Sequence, residues 1–423
     1  MTDTLDILFL CHHYPPEMGG GATRFQWLTR RLAQSGHRVR VVTGMPNYPV
    51  GVIFPGYRGK LALTEQRDGV EVRRVWVYPA AFGSRWKRLA NYLSFVISSA
   101  LACLSGRQRY DAMIAASPPL FVALAGWIIA RSRRIPWVFD IGDLWPDVAV
   151  EAGELSENGL VTRWARGLAV FLYRRASYLA PVTETKRARL MAMGIPAEKI
   201  VVVENTVDIE TGAPIDDKDW RADLNLAGRF VVVYAGLIGI AQGVEIALDA
   251  ATALRDRPEI AFLIVGDGVR RTGMVEAARQ MKLENITFLP AQPREAIPAI
   301  LRCADVAWIP LANNLLVDAV PSKLMEAWAC GKAVILSAAG EAAALVSEAG
   351  GGLVTLPGQP EALVEAVLRC QADPARLLAW GANGQALVKA RFDPQTLANR
   401  MADLLRRSVE QAGSHGGPAR PTP

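Results

Sequence analysis

Two α/β domains, each a mainly parallel sheet wrapped by helices, are what this sequence predicts. Three observations carry that reading. Short apolar, β-rich runs alternate with helical patterns from one end to the other. The 423 residues exceed what one hydrophobic core serves. A polar stretch after Asn205 breaks the alternation before the strand-like run Phe230 to Tyr234 restarts it.

The first half offers strand candidates at Ile7 to Leu10, Val39 to Thr43, Val70 to Val75, Ala112 to Ala115, Trp137 to Asp140, Tyr178 to Pro181 and Ile200 to Val203. A helix from about Ala22 to Ser35 separates the first two, with Phe25, Leu28 and Leu32 on one face and Gly36 as its stop. The second half repeats the pattern with strands at Phe230 to Tyr234, Ala261 to Val265, Ile286 to Leu289, Val306 to Ile309, Ala333 to Leu336 and Gly352 to Leu356. Helices follow near Pro360 to Cys370, Ala375 to Ala390 and Pro394 to Arg407. The expected organisation is a first domain over residues 1–205, a linker over 206–228 and a second domain over 229–390. A last helix over 391–410 packs back across the domains, and a disordered tail covers 411–423. Open α/β sheets bind ligands beyond the carboxyl ends of their strands, so two such sheets imply a cleft between domains.

Composition excludes several classes. Five cysteines without C-x-x-C spacing and only four histidines assemble no zinc ligand set, and they favour a reducing cytoplasm over secretion. The N-terminus lacks the basic start and longer apolar stretch of a signal peptide. A net charge of +6 permits acidic partners without choosing one. Nucleic acid is not among them, since no element combines basic and aromatic residues on one face. Arg85, Lys87 and Arg88 precede an apolar run from Leu89 to Leu104, and Arg107 and Arg109 follow it. The run is shorter than the ~20 residues a spanning helix needs, and reads as an interfacial helix with basic flanks or as a buried one. Phe121 to Ala130, followed by Arg131, Arg133 and Arg134, repeats the pattern with the same two readings.

Four constellations carry chemistry. Asp318 to Gly331, reading DAVPSKLMEAWACG, places a helix entry at Pro321 and Ser322, a positive charge at Lys323 and a carboxylate at Glu326 one turn on. Exposed backbone N–H groups, the helix dipole and Lys323 together suit an anion, while Glu326 suits a ribose diol or simply complements the dipole. Gly236, Gly239 and Gly243 form a glycine-rich loop after the strand Phe230 to Tyr234, a phosphate cradle without the Walker lysine. Gly266 and Gly268 flank Asp267 after the next strand, as part of the same rim or as a plain turn. Gly19, Gly20 and Gly21 lie between the first strand and first helix, where backbone can approach a ligand; Arg24 sits one turn in, as a site residue or an ordinary surface arginine. Asp140, Asp143 and Asp147 follow the strand starting at Trp137, where an aspartate orients a hydroxyl, acts as a base or caps the next helix.

Taken together these segments resemble the family-4 glycosyltransferases, whose GT-B architecture sets two Rossmann-like domains facing a central cleft. The resemblance covers residues 5–407, and its motifs appear in order: the glycine loop with Arg24, Asp-Leu-Trp-Pro, Gly236 to Gly243, Val-Gly-Asp-Gly, and Val320-Pro-Ser-Lys-Leu-Met-Glu. The last is similar to the family's pair of glutamates separated by seven residues, with Asp318 in the first place and Glu326 in the second. The resemblance implies that Gly236, Gly239, Gln242, Gly243, Gly266, Gly268, Ser322, Lys323, Leu324 and Glu326 bind a nucleotide-sugar donor. It further implies that Asp318 faces the donor sugar, and that Gly19, Gly20, Gly21 and Arg24 form an acceptor or phosphate loop. Asp143 stands beside Gly142, which occupies the place of a histidine common in relatives, and Asp143 with Asp318 is assigned catalysis. Leu237 and Gln242 stand where many relatives carry an arginine and a lysine for the diphosphate, which shifts that charge onto Lys323.

The implied activity is transfer of a sugar from a nucleotide diphosphate donor, UDP-linked, to a lipid-linked saccharide in surface-polysaccharide synthesis, with retention and without metal or other cofactor. The version of the motifs here is most similar to a branch that includes N-acetyl-fucosamine transferases. The expected partners are the donor, the lipid-linked acceptor and the membrane surface, at the inner face of the cytoplasmic membrane. A nucleotide-sugar epimerase of the same architecture, or a binding protein without catalysis, are the alternatives.

Overall fold

The computed structural model describes residues 4–17, 19–48, 51–80, 85–151, 153–206, 218–312 and 317–414. It divides into two compact units: residues 1–205 together with 394–423, and residues 206–393.

The first unit is built on seven strands: β1 (Asp6–Cys11), β2 (Arg38–Gly44), β3 (Ala62–Arg67), β4 (Val70–Val75), β5 (Ala112–Ser117), β6 (Trp137–Ile141) and β7 (Tyr178–Pro181). Their spatial order is β3-β4-β2-β1-β5-β6-β7, parallel throughout except for the β3 to β4 hairpin. The central strands β1, β5 and β6 are almost wholly buried, as continuous apolar runs covered on both faces must be. β3 escaped the sequence reading because its side chains, ALTEQR, alternate between exposed and half-buried and carry no apolar signal. Ile200 to Val203, expected as a strand, forms only an isolated bridge to β7, although Val201 and Val203 donate to the Leu179 and Pro181 carbonyls at 2.9 and 3.0 Å.

The helix Pro394–Ser414 belongs to this unit. Leu397, Met401, Leu404 and Leu405 lie in one core with Phe9, Phe25, Leu28 and Ile114. The helix also contains residues 411–414, which the sequence assigned to the tail; residues 415–423 and most of the expected linker, 207–217, lie outside the described residues.

Helix Leu120–Arg133 buries Phe121, Val122, Ala125 and Ile129, so Phe121 to Ala130 is core rather than a surface patch. Helix Arg85–Ser105 is 21 residues long, and its Trp86–Ser105 window is apolar and long enough to cross a membrane, with 28% buried. One face, Asn91, Phe95, Ser99 and Cys103, packs inward. The opposite face exposes Trp86, Leu93, Ile97, Leu101 and Leu104. Those positions recur at helical spacing, so they form one apolar stripe.

The second unit carries six parallel strands: β8 (Phe230–Ala235), β9 (Ile260–Val265), β10 (Ile286–Leu289), β11 (Val306–Pro310), β12 (Ala333–Ser337) and β13 (Gly352–Thr355). Their order, β10-β9-β8-β11-β12-β13, reverses between β8 and β11, the switch point at which doubly wound sheets take ligands. Helix Ser322–Ala329 follows β11 and packs on helix Pro374–Arg391 through Trp328. Gly381 and Gly384 permit that approach: a Cβ on Gly384 would lie 2.1 Å from the Trp328 ring, and one on Gly381 2.0 Å from the Gly331 carbonyl.

Candidate functional site

Loops leaving the carboxyl ends of β8, β9, β11 and β12 build the site of the second unit. The first two meet backbone to backbone. Gly266 has a φ of +143° and a Cβ there would sit 1.9 Å from the Gly236 carbonyl oxygen; Gly268, at +153°, would place one 2.3 Å from the Ile238 carbonyl. Ile238 N–H donates to the Asp267 carbonyl at 2.8 Å, and Arg270 N–H to the Ile238 carbonyl at 3.1 Å. Only glycine at 266 and 268 allows this approach to the Gly236 and Ile238 backbone, so the two loops form one rim. Gly243, at φ +64°, lies against Ala312, and Gln242 folds back against Gly239. A third loop is tied in by Glu341 N–H, which donates to the Val317 carbonyl at 2.8 Å beside the buried Asp318.

Helix Ser322–Ala329 opens on Pro321 with no side-chain cap and no acidic residue in its first turn. Lys323 runs directly over Gly236: a Cβ on that glycine would fall 2.0 Å from Lys323 Cε. Its Nζ stands 5.0 Å from the centre of the Tyr234 ring. Burial holds the ammonium below the ordinary lysine range, with Glu326 opposing the shift. Among the described residues Lys323 has no hydrogen bond or ion pair. Glu326, one turn on, is pushed above the ordinary carboxylate range by burial, while Arg294 and Lys323 pull it back. Lys323 and Glu326 line a small pocket with Ala235, Trp308 and Ile309. An unpaired cation and an unpaired carboxylate, three residues apart on one helix face, present complementary needs: an anion for one and hydroxyl donors for the other. Arg294 had no motif to mark it in the sequence.

Leu324 plays a different part from the one expected. Its side chain is wholly buried in the core and its N–H donates to the Pro321 carbonyl at 3.0 Å, so it reaches the site through its backbone and not its side chain.

In the first unit the predicted residues separate. Gly19, Gly20 and Gly21 open helix Gly20–Gln34, and a Cβ on Gly20 would meet open space. Arg24 points the other way, into the protein, and is 4% exposed. Its Nε and Nη2 donate to the two oxygens of Asp140 at 3.0 and 2.7 Å. Nη1 donates to the Glu204 carbonyl at 2.7 Å and Asn205 Oδ1 at 3.1 Å, and Nη2 to the Val203 carbonyl at 2.8 Å. All five N–H donors are engaged, so Arg24 and Asp140 hold the chain's exit from the unit and are unavailable to an acceptor. Asp147 pairs with Arg166 and Arg189. Asp143 remains half-buried just beyond β6. Gly142 cannot carry a side chain, since a Cβ would meet the Ser117 carbonyl at 2.8 Å, which explains glycine at this place. Among the described residues no group of three or more His, Cys, Asp and Glu could hold a metal ion.

The sequence reading passed over His12, His13 and Glu17, directly after β1. Burial keeps His12 well below the ordinary histidine range, with His13 adding to the shift, and its Nε2 lies 2.6 Å from Asn91 Oδ1. His13 Nδ1 lies 3.1 Å from Glu17 Oε2. The run Cys-His-His-Tyr-Pro-Pro-Glu at a strand's carboxyl end was the available signal.

Residues 19–206 match the model of a glycosyl transferase 4-like domain, and residues 216–387 that of glycosyl transferases group 1. The chain is a family-4 glycosyltransferase. A relative of this glycosyltransferase, named as a colanic acid biosynthesis glycosyl transferase, WcaI of Escherichia coli strain K12, is 28% identical over 79% of this chain and 83% of its own length. The 2-deoxystreptamine glucosyltransferase of Streptomyces kanamyceticus is 27% identical over 83% of this chain and 89% of its own. Among solved structures, HepE of Anabaena in complex with UDP superposes with a TM-score of 0.71, at 21% identity, over 95% of this chain and 100% of that one. Sucrose-phosphate synthase from Thermosynechococcus elongatus gives 0.76 at 20% identity, over 96% and 99%. The fold of this glycosyltransferase is therefore GT-B.

Proposed function

We propose that this glycosyltransferase moves a hexosyl unit, an N-acetylated deoxyhexosamine in the closest reading, from a UDP-linked donor to a lipid-linked saccharide during synthesis of a surface polysaccharide such as O-antigen, capsule or lipopolysaccharide, with retention of configuration and without a metal. The observation that carries the donor side is Lys323: a buried cation in the first turn of a helix, pressed over Gly236 and with no ion pair among the described residues. A diphosphate supplies the missing charge. Glycosyl transfer leaves negative charge on the departing diphosphate, and Lys323, the helix start at Ser322 and the glycine rim are donors fixed before the reaction begins. Glu326 accepts from the ribose hydroxyls, and Asp318 and Asp143 are assigned to the sugars. The UDP bound by HepE and the colanic acid pathway in the name of WcaI support the donor and product class.

The acceptor's lipid and the site of action, peripheral at the inner face of the cytoplasmic membrane, rest on helix Arg85–Ser105. Its exposed stripe is flanked by the exposed basic residues Lys87, Arg107 and Arg109. The inward face is committed to the core, so the helix is suited to lying in a bilayer surface rather than crossing it. Leu160, Val161 and Trp164, exposed at the start of helix Leu160–Arg175, add a second apolar edge. The ion pair of Arg88 with Glu154, at 2.7 Å, ties the first helix to the segment leading into the second.

Mass spectrometry of products from UDP-, GDP- and dTDP-sugars with lipid-diphosphate acceptors tests the assignment. Transfer from a UDP-sugar, abolished in Lys323→Ala and Glu326→Gln, is expected; unchanged turnover in both variants would overturn it. Vesicles containing anionic lipid should co-sediment the wild type at low salt and lose an Ile97→Ser/Leu101→Ser variant.

A further inference from the structure

We propose that His13, fixed by Glu17 and flanked by a row of aromatic rings, is where the acceptor sugar binds. The proposal rests on the glycosyl-transfer reading above and moves acceptor binding away from Arg24, whose donors are all engaged.

The imidazole stands immediately beyond β1, at the carboxyl edge of the first sheet. Its Nδ1 lies 3.1 Å from Glu17 Oε2, and the two side chains are 29% and 1% exposed. Glu17 is held by the backbone: Oε1 accepts from Asn47 N–H and Tyr48 N–H, each at 2.9 Å, and Oε2 accepts from Tyr14 N–H at 3.3 Å. Glu17 accepts from Nδ1–H, which fixes the ring and leaves Nε2 for a further hydrogen bond. Nε2 has no partner among the described residues. A sugar hydroxyl, both donor and acceptor, is a fitting partner for it.

The rings beside it run without a gap. Tyr48 lies 5.1 Å from His13, His13 4.6 Å from His12, His12 5.5 Å from Tyr92, Tyr92 5.8 Å from Phe121, and Phe121 6.5 Å from Trp145. Tyr48, His13, Tyr92 and Trp145 are half-buried. An apolar wall with one fixed hydrogen-bonding group suits a pyranose, which presents C–H faces and hydroxyls. A phosphate is disfavoured: the neighbouring Glu17 is an acidic side chain, Arg24 is spent, and Arg74 is paired with Glu65 and the Pro15 carbonyl.

Tyr92 and Asn91 belong to helix Arg85–Ser105, and Asn91 binds His12. One helix thus meets the sugar on its inner face and carries the apolar stripe on its outer one.

The test uses the full chain, UDP-sugars, and decyl glycosides of glucose, galactose, N-acetylglucosamine and fucose as acceptors. His13→Ala should raise the acceptor KM by roughly tenfold or more, the worth of one good hydrogen bond, with the donor KM within about twofold. His13→Gln should recover part of the loss, and Tyr92→Leu should raise the acceptor KM with Tm unchanged. An unaltered acceptor KM in His13→Ala overturns the proposal, as does a parallel rise in donor and acceptor KM with a lowered Tm. A wild type that binds UDP but glycosylates none of the four would overturn both transfer to a saccharide acceptor and the role of His13 in binding it.

Discussion

A single missing side chain sets the position of the most informative cation in the protein. Gly236 leaves the space that Lys323 crosses, and an alanine there would put its Cβ 2.0 Å from Lys323 Cε at a φ of +149°. Gly236→Ala should therefore behave like a lysine substitution, weakening UDP binding roughly 10- to 100-fold in titration calorimetry, the worth of a charge-assisted hydrogen bond. Retained affinity would show that the lysine's path over the glycine is unimportant. The two ionisable groups also predict a bell-shaped pH dependence of UDP affinity. Lys323 titrates below its ordinary value, so its charge is lost on the alkaline side earlier than for a free lysine. Glu326 titrates above its ordinary value, so acceptance from the ribose is lost on the acid side earlier than for a free glutamate. Lys323→Met should remove the alkaline limb and Glu326→Gln the acid limb.

Elements differ in how far the sequence discloses them. The buried strands are legible to within a residue or two because a strand covered on both faces must be apolar along its whole length, as β5 and β9 are. β3 is hidden because an edge strand needs no apolar face, and Ile200 to Val203 misleads because apolar content alone does not secure a ladder. At the site, the glycines and helix start that read as a donor cradle do lie together around Lys323, since backbone approach and charge are local properties. Arg24 was ambiguous because its partners lie more than a hundred residues away, and His13 was silent because its partner is a capping carboxylate rather than a metal. The helix pair beneath the site supplies a stability test. Gly384→Ala gains helix propensity but places a Cβ 2.1 Å from the Trp328 ring. Overpacking should win, with a loss of about 1–3 kcal/mol in chemical denaturation of the second unit. A stabilised variant would contradict the packing described.

The molecule as a whole is two cores of unequal continuity. The second unit is drawn from one uninterrupted stretch, residues 206–393, whereas the first is made from both ends of the chain. Truncation after Asp393 should leave UDP binding by the second unit measurable while destabilising the first. Leu397, Met401, Leu404 and Leu405 leave the core, and each fully buried side chain of this kind contributes about 1.5–3 kcal/mol. Separate thermal transitions that collapse to one in the truncated chain, with UDP affinity kept, are the expected result; an unchanged first transition would count against it. The same helix fixes an order of events during synthesis. When residue 205 leaves the ribosome, the first sheet still lacks the cover for the face that Phe9 and Ile114 line, and nearly two hundred further residues are translated before that cover arrives. The second unit can be finished by then, because it waits for nothing downstream. The protein is thus completed from its middle outward, and the half-built first sheet is the species a chaperone would meet.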